Sequence, residues 1–389
     1  MSRRSRKNVG LIGLGIIGRR VAENLRKRGF HVFVWNRTPR PVPNFVGSVA
    51  EVAELCNVIQ IFVADDEALR EIIQQLSSVL TAHHVILAHC TVAPESMQAA
   101  AEVVQRRGAR FLDAPFTGSK GAAEKGELTY YVAGDDGALR EARRFLEASS
   151  KEIIEFGEIG EATLIKLATN MVTAASVQAV AEALALVAKC GVPPEKFERA
   201  LRGNASRSTT IEMKLPKMMD SDFEPHFSVK HMLKDLQIAE RLAESLELKF
   251  PVTEAARDVQ LAEMKNGRGD EDYSCVVRQY FPDGVPSERK QPEPPPETAE
   301  LPLENRPEPV KEAVAEPAPP PAVAEPALPS AVAEPEPVPV IVEAISAVVM
   351  SEATSAQTSS SAAPAVTTQQ EAEQRPGFLR RLFSRSTDY

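Results

Sequence analysis

Residues 9–18 read VGLIGLGIIG and decide the fold of this 389-residue chain. A short apolar run leads into three glycines in G-x-G-x-x-G spacing, and an amphipathic run follows from residue 16 to residue 28. This order is typical of a dinucleotide-binding turn: Gly13 makes the turn, Gly15 lets the backbone approach a pyrophosphate, and Gly18 lets helix and strand pack closely. Because the first amides of a helix attract an anion, we expect a nucleotide site here. Its predicted contact residues are Gly13, Leu14, Gly15, Ile16, Ile17 and Gly18.

Strand and helix patterns alternate after this unit. Residues 39–48 contain three prolines and are expected to be non-helical. A hairpin-like strand pair at 128–132 and 153–156 is expected to flank a helix at 137–148. The alternation predicts an α/β fold with a doubly wound parallel sheet, which is a Rossmann domain. Its other predicted strands are 31–35, 58–63, 85–88 and 110–112, and its other predicted helices are 49–56, 67–80 and 94–107.

The second half of the chain has a helical pattern that begins after a glycine-bounded hinge at residues 157–160. The run 161–190 is unusually long for a globular helix and is typical of a helix that connects domains. Shorter helical runs follow at 195–201, 229–245 and 252–265. We therefore predict a Rossmann domain at 1–158, an all-α domain at 159–285 and a disordered tail at 286–389.

The predicted tail differs in composition from the rest of the chain. Residues 291–389 hold 18 of the 30 prolines, and Ala-Val-Ala-Glu-Pro recurs at 313–317, 322–326 and 331–335. Such a mixture cannot bury a core, so we expect an extended, disordered segment. Its tip at 378–383, FLRRLF, is basic and would be amphipathic as a helix. Weak contact with a membrane or a protein groove is one interpretation, and a frayed, solvated end is the other.

Charge and cysteine usage narrow the class of protein. The net charge is −9, but residues 291–389 hold 15 acidic and 6 basic side chains, so the first 290 residues are balanced at 39 of each sign. This balance and the absence of a binding motif argue against nucleic acid as a partner. The four cysteines form no C-x-x-C pair, which indicates reduced, buried thiols in a cytoplasmic protein. No run reaches the length of a membrane-spanning helix by inspection. Three histidines, His83, His84 and His89, lack partners at ligand spacing, so we expect no metal.

The end of the second predicted strand indicates which cofactor binds. An NAD site usually places an acid there, whereas this chain reads Asn36-Arg37-Thr38. A guanidinium and a hydroxyl would hold a 2′-phosphate that a carboxylate would repel, which favours NADPH. The alternative is a solvated arginine in a turn before Pro39.

Three further segments carry candidate site residues. Lys166 and Asn170 are four apart on the long helix and share a face, although a lysine there usually extends to solvent. The loop 113–121, DAPFTGSKG, exposes amides and hydroxyls that suit a carboxylate or phosphate, or it is an ordinary turn. Lys234 and Asp235 form a charge pair that is most simply a surface pair, and Phe227 is a candidate core residue.

These segments resemble motifs of the β-hydroxyacid dehydrogenase family, which includes 3-hydroxyisobutyrate dehydrogenase and glyoxylate/succinic semialdehyde reductase. The similarity covers roughly residues 7–282. Residues 10–18 resemble the first motif, and residues 113–121 resemble the D-A-P-V-S-G substrate loop, with Phe116 and Thr117 where Val and Ser are usual. Residues 160–170 resemble the catalytic motif that ends in K-x-x-x-N, and residues 227–236 resemble the K-D-L segment.

The resemblance implies a role for each matched residue. Lys166 would be a general acid that protonates the substrate carbonyl oxygen as hydride arrives, and Asn170 would orient Lys166 or the substrate. Thr91 would contact the nicotinamide ribose and the substrate, and Lys234 would contact the cofactor. Val63 and Ala64 would line the adenosine side. Thr117, Gly118, Ser119, Phe227 and Asp235 would bind the substrate.

The resemblance further implies an NADPH-dependent reductase of a small aldehyde or keto acid, which also runs as a 3-hydroxyacid dehydrogenase. The branch it resembles most is glyoxylate/succinic semialdehyde reductase. The long helix indicates a homodimer or homotetramer. Two alternatives stay open: an imine reductase, against which Lys166 counts, and a nucleotide-sensing scaffold whose tail recruits partners.

Overall fold

A computed structural model describes residues 7–287, and the first part of these residues folds around one eight-stranded sheet. The strands run in the order β2-β1-β3-β4-β5-β7-β6, with β8 beside β7, and β1 to β5 are parallel. The strands β1 to β5 are Asn8–Ile12, His31–Trp35, Val58–Ile61, Val85–Ala88 and Arg110–Asp113, and the helices α1 to α4 that join them are Gly18–Lys27, Val49–Leu55, Asp66–Ser77 and Pro94–Gln105. The predicted Rossmann fold is confirmed.

The last part of the sheet corrects one prediction. β7 (Leu128–Gly134) and β8 (Ser150–Glu155) are parallel and are joined by α6 (Asp136–Leu146), so they do not form a hairpin. A hairpin needs a short turn between antiparallel strands, whereas a helical crossover returns the chain in the same direction. β7 itself runs antiparallel to β5 and to the short strand β6 (Phe116–Thr117), which makes the sheet mixed at this edge.

The core of this domain consists of two apolar layers, one on each face of the sheet. Side chains alternate along a strand, so Leu11 of β1 faces one layer while its neighbour Ile12 faces the other. Residues 39–48 are not helical, as expected, and Phe45 there forms a β-bridge to Val34. The carboxyl ends of β1 and β3 are adjacent, and the chain leaves them in opposite directions. Ligands bind at such a switch point in open α/β sheets.

The helical domain is organised around α7 (Glu161–Lys189), which is the long helix that the sequence predicts. α8 (Pro194–Arg202), α10 (Val229–Ser245) and α11 (Pro251–Lys265) match the predicted shorter runs. The sequence reading missed α9 (Thr209–Asp220), because Pro216 interrupts its pattern, and a 3-10 helix at Tyr273–Gln279. The domain boundaries stay a prediction, and the predicted tail, its tip and its repeats lie beyond residue 287, outside the described residues.

Two further expectations need correction. By length and composition α7 could cross a membrane, with a mean hydropathy of 1.7 in a window that is 33% buried, although one such helix is weak evidence. The expectation that no run reaches this length is therefore wrong. The four cysteines, all within residues 7–287, form no disulfide, but Cys190 at the end of α7 is exposed, so only the other three are buried.

Candidate active site

The glycine turn between β1 and α1 is shaped to hold an anion. Gly13 has a φ of +100°, and a Cβ there would lie 2.0 Å from the carbonyl oxygen of Phe62, directly after the neighbouring strand β3. A Cβ on Gly18 would lie 2.1 Å from the Gly13 carbonyl oxygen, whereas the space above Gly15 is open. Ile17 begins the helix without a side-chain cap. Open space over Gly15 beside uncapped helix amides fits the pyrophosphate of a dinucleotide.

The residues after β2 divide into a structural and an exposed group. Asn36 accepts a hydrogen bond from the Leu14 amide at 2.8 Å and donates to the Thr38 carbonyl at 2.7 Å, so it fixes the glycine turn to the end of β2. Arg37 and Thr38 have exposed side chains. Val63 and Ala64 follow β3 at the same edge of the sheet, half-buried and exposed respectively. The residues around the switch point between β1 and β3 are therefore Arg37, Thr38, Val63 and Ala64.

The predicted substrate loop lies beside the antiparallel edge of the sheet. Thr117 ends β6, Gly118 has a φ of +132°, and Ser119 caps α5 (Lys120–Lys125) by accepting from the Ala122 amide at 3.4 Å. A Cβ on Gly118 would lie 2.8 Å from a methyl carbon of Leu128, which explains why this bend carries a glycine.

A chain of polar contacts joins three segments at the interface of the two domains. The Asn170 amide on α7 donates to Asp235 Oδ2 at 2.6 Å, and Lys234 Nζ donates to Asp235 Oδ1 at 2.7 Å. Lys234 Nζ also donates to the carbonyl oxygen of Thr91 in the loop after β4. Asp235 is buried, with 2% of its surface exposed, which rules out the surface-pair interpretation for Lys234 and Asp235.

Apolar packing holds these three segments in place. Ala93, Leu167 and Ile238 form a small buried cluster of their own. Each lies a few residues from one polar partner: Ala93 from Thr91, Leu167 from Asn170, and Ile238 from Asp235. The sequence therefore positions the polar groups by burying their apolar neighbours between the Rossmann domain and helices α7 and α10.

Lys166 is half-buried on α7, one turn before Asn170. Burial lowers the pKa of Lys166 to about 8, although the negative charge of Asp235 acts in the opposite direction. Its Nζ makes no hydrogen bond to another group within residues 7–287. The ammonium thus retains donors and has a pKa near neutrality, which are the two properties of a general acid.

Asp113 sets the position of the helix that carries Lys166. Its buried carboxylate accepts from the amides of Gly160 at 2.9 Å and Thr163 at 3.0 Å, and from the Thr163 hydroxyl at 2.7 Å. These groups lie at the amino end of α7, where a negative charge is favourable. Burial raises the pKa of Asp113 to about 6 in spite of the hydrogen bonds from Thr163 and Gly160, which lower it. Lys166 lies one turn further along.

Phe227 lies just before α10 and is only partly buried. Its ring stacks on His231 with 6.0 Å between centroids and meets Tyr273 edge-on at 6.0 Å. His231 in turn bonds through Nδ1 to the Ser228 hydroxyl at 2.6 Å. It precedes Lys234 and Asp235 by one helical turn, so it shares their face of α10.

The predicted residues fall into two groups. One hydrogen-bonded network contains Thr91, Asn170, Lys234 and Asp235, and Lys166 lies beside it. The dinucleotide turn and the substrate loop form the second group and are separate from this network. The substrate loop reaches the helical domain through Lys120, which pairs with Glu224 at 2.6 Å near Phe227. Among residues 7–287 no group of three or more potential metal ligands is present.

The sequence reading missed several residues of the site. Asp113 anchors α7, and His231 packs on Phe227. Asp113 opens the quoted D-A-P motif, so its position was a usable signal, and the spacing of His231 from Lys234 was another. No local sequence pattern indicates the contacts of Arg20 and Asn24 on α1, because their partners are about a hundred residues away in the chain.

Comparisons with known proteins agree with this geometry. Residues 8–157 match the family model of the NAD binding domain of 6-phosphogluconate dehydrogenase. Residues 160–280 match the model described as NAD-binding of NADP-dependent 3-hydroxyisobutyrate dehydrogenase. Both halves of the described chain therefore match modules of NAD(P)-dependent enzymes.

Individual relatives and one solved structure extend the match. Glyoxylate/succinic semialdehyde reductase 2 of Arabidopsis thaliana is 30% identical over 280 residues, which cover 69% of this chain and 78% of the relative. The cytokine-like nuclear factor N-PAC of Xenopus tropicalis is 30% identical over 285 residues, covering 71% of this chain and 53% of the relative. The chain thus spans about half the length of that relative. The fold of 3-hydroxyisobutyrate dehydrogenase from Salmonella typhimurium matches with a TM-score of 0.64 at 22% identity, covering 70% of this chain and 99% of that structure.

The fold, the site and the matched modules define an NAD(P)-dependent oxidoreductase that acts on CH–OH groups. The chain belongs to the β-hydroxyacid dehydrogenase family.

Proposed function

We propose that this protein is an NADPH-dependent reductase of small aldehyde or keto acids such as glyoxylate and succinic semialdehyde, with Lys166 as general acid. The observation that carries the proposal is the environment of Lys166, which has free donors, a pKa of about 8 and a fixed acidic neighbour. The reverse reaction oxidises the corresponding hydroxyacid, which is a 3-hydroxyacid for tartronate or methylmalonate semialdehyde, and neutral Lys166 accepts the proton. The A. thaliana relative, a reductase by name, supports the substrate class.

Each residue of the network has a task in this proposal. Lys166 donates a hydrogen bond to the substrate carbonyl oxygen and transfers a proton to it. NADPH, when bound, would supply the hydride. Asn170 and Lys234 hold the Asp235 carboxylate on both oxygens, which keeps its charge at a fixed distance from Lys166. Thr117, Gly118 and Ser119 bind the substrate carboxylate, and Phe227 closes the apolar side.

NADPH is preferred over NADH because the end of β2 offers a positive charge and no carboxylate. Arg37 and Thr38 are exposed and would hold the 2′-phosphate, while Asn36 keeps the glycine turn in place. Gly13–Gly18, Val63 and Ala64, Thr91 and Lys234 are the remaining cofactor residues. Arg37→Glu should reverse the preference, since its carboxylate would repel the phosphate, and Arg40→Glu, three positions further along, is the control.

The direct test measures oxidation of NADPH and of NADH by the full chain. The substrates are glyoxylate, succinic semialdehyde, tartronate semialdehyde and methylmalonate semialdehyde. We expect turnover of at least one of them with NADPH preferred, its loss in Lys166→Ala, and wild-type rates in Lys151→Ala, which removes an exposed lysine on β8. Cofactor binding without turnover of any substrate, or an active Lys166→Ala, would refute the mechanism.

A second copy of this chain is the proposed partner of α7. Ile165, Val172, Ala179 and Leu186 are seven residues apart, so they form one stripe, and all four are exposed, Val172 and Leu186 to 68%. Such a stripe of small and apolar side chains is self-complementary, which supports a homodimer or homotetramer. Leu186→Glu should dissociate it in light scattering, whereas Leu248→Glu, at an apolar residue exposed elsewhere, should not. A monomeric wild type would refute this assignment.

A scaffold that senses the nucleotide is the second candidate function. The relatives named nuclear factor N-PAC favour it, since seven of them are 28–31% identical to this chain. Deletion from residue 290 separates the two candidates. An enzyme located in the cytoplasm keeps its turnover without the tail, whereas a scaffold loses a partner that depends on bound cofactor. An imine reductase is a third class, and the aldehyde panel with added amine tests it.

A further inference from the structure

Two buried polar side chains fasten α1 to α5. Arg20 Nε donates to Glu124 Oε1 at 2.8 Å, and Arg20 Nη2 lies 2.6 Å from the same oxygen. Asn24 Nδ2 donates to the Ala123 carbonyl at 2.7 Å. Arg20 and Asn24 are only 5% and 6% exposed. Burying such groups costs free energy unless they are bonded, so this α1–α5 bridge is a specific feature of the packing.

The bridge connects the two predicted binding loops. α1 starts at Gly18, the last glycine of the dinucleotide turn, and α5 starts directly after Ser119 of the substrate loop. Arg20 also donates from Nη1 to the carbonyl of Ile16 inside the turn, at 2.5 Å. One guanidinium therefore contacts both the turn and the helix that follows the substrate loop.

α5 depends on such contacts for its position. It has six residues, which is too short for a helix to be stable by itself. Its ion pair on the other side, Lys120 with Glu224, is largely solvated, because Glu224 is 63% exposed, and such pairs contribute little. Ala123 is buried but offers one methyl group. The directional contacts with buried donors are those of Arg20 and Asn24.

We infer that Arg20 and Asn24 are positioning residues: they hold the substrate loop 117–119 at a fixed place relative to the dinucleotide turn, so that the aldehyde acid and the cofactor bind in register. The inference rests on the proposed function for the identity of the substrate. Hydride transfer needs the reacting atoms close together, and a misplacement of about 1 Å costs about 100-fold in rate. A rigid link between the two loops is therefore worth more to the reaction than to folding.

The kinetic test compares Asn24→Ala and Arg20→Lys with Lys125→Ala, which removes an exposed side chain from the same helix α5. We expect kcat/KM for the aldehyde acid to fall by about 10- to 100-fold in the first two variants, mainly through kcat, with the Kd for NADPH within about threefold of wild type. Lys125→Ala should match wild type. A lower Tm with unchanged kcat/KM would overturn the inference, because a merely structural contact would give that result.

A second measurement does not depend on turnover. Hydrogen exchange of residues 117–126 is followed in the full chain with and without NADP+. Because the bridge links α5 to the turn, NADP+ should slow exchange at 117–126 in wild type and in Lys125→Ala, but not in Asn24→Ala. Should Asn24→Ala fail to fold, Glu124→Gln, on the solvent side of the bridge, replaces it. Unchanged exchange in wild type that binds NADP+ would overturn the inference. A chain that binds NADP+ and couples the loops but reduces no aldehyde would refute only the proposed function.

Discussion

The helical domain holds two lysines, one buried and one half-buried, in very different surroundings. Lys214 on α9 is 3% exposed, and its Nζ lies 2.7 Å from both carboxylate oxygens of Asp272 and 4.5 Å from the centre of the Tyr273 ring. Lys166 on α7 lies beside Asp235, but the oxygens of Asp235 are bonded to Asn170 and Lys234 instead. Lys214 pairs directly with the carboxylate of Asp272, so Lys214 is structural. The carboxylate of Asp235 is bonded to Asn170 and Lys234 instead, so the protons of the Lys166 ammonium stay available.

The carboxylates show the same difference. Asp272 accepts bonds from the amides of His226 and Phe227 and from Ser274, in addition to Lys214. Burial would raise the pKa of Asp272, but the charge and hydrogen bond of Lys214 and the hydrogen bonds from Ser274 outweigh it, so the pKa is lowered. Lys214 and the carboxylate of Asp272 are therefore bonded to each other in a network that fixes the segment before Phe227. The ammonium of Lys166 lies beside a network to which it makes no hydrogen bond.

The largest expected effect is on the rate, from Lys166→Met. A general acid contributes about 10²- to 10⁴-fold, so kcat for aldehyde reduction should fall by that amount. The Tm should stay level or rise, because a half-buried charge is replaced by an apolar side chain of similar length. Steady-state kinetics and thermal unfolding of the same preparation provide the measurement. A variant that loses Tm in proportion to its activity would make Lys166 a structural residue like Lys214.

Lys214→Met should have the opposite outcome. Removing the ammonium leaves Asp272 as a buried, unpaired charge, and breaking a buried pair in this way costs about 3–5 kcal/mol. We expect that loss in the free energy of unfolding by denaturant, while the folded fraction keeps the pH dependence of the wild-type reaction. Asp222→Asn, which breaks the neighbouring exposed pair with Lys217, is the matched control and should cost far less. An inactive Lys214→Met with full stability would contradict the comparison.

The pH dependence of the reaction sharpens the contrast. Lys166 must be protonated to act as an acid, and its pKa is about 8. For aldehyde reduction, kcat/KM should therefore be level below about pH 8 and fall tenfold per pH unit above it. In the oxidative direction the same group acts as a base, so the rate should rise with pH through that value. Lys166→Arg should show no such limb, because a guanidinium stays protonated throughout this range.

Much of this fold could be predicted from local signals. The strand His31–Trp35 and the helix Val229–Ser245 have their predicted bounds, because periodicity and flanking turns are properties of neighbouring residues. The direction of β8 relative to β7 and the helix around Pro216 depend on packing, which a local pattern does not contain. Periodicity also predicted that Lys166 and Asn170 share one face of a helix, and both lie on α7, four residues apart.

The chemistry of the site was less accessible. Lys166 differs from a solvated lysine because packing buries part of its side chain, and α10 brings Asp235 beside it, 69 positions further along the chain. The anchor of Asp113 on Gly160 and Thr163 likewise joins residues 47 and 50 apart. Such pairings follow from the docking of the two domains through Ala93, Leu167 and Ile238. Resemblance to a family supplied the roles in advance, and physical reasoning from the residues alone did not.

The smallest expected effect tests the carboxylate of Asp235, which is bonded to Asn170 and Lys234. The charge of Asp235 raises the pKa of Lys166, so in Asp235→Asn that pKa should fall further, and the reductive limb should move to lower pH by about half a unit to one unit. Asn170→Ala removes a bond to Asp235 but keeps its charge, so its limb should stay near about pH 8. The two variants separate charge from position in pH profiles recorded side by side. If the pH at which kcat/KM begins to fall moves equally in both variants, Asp235 acts on Lys166 by holding α7 and α10 together. That result would contradict the proposal that the charge of Asp235 sets the pKa of Lys166.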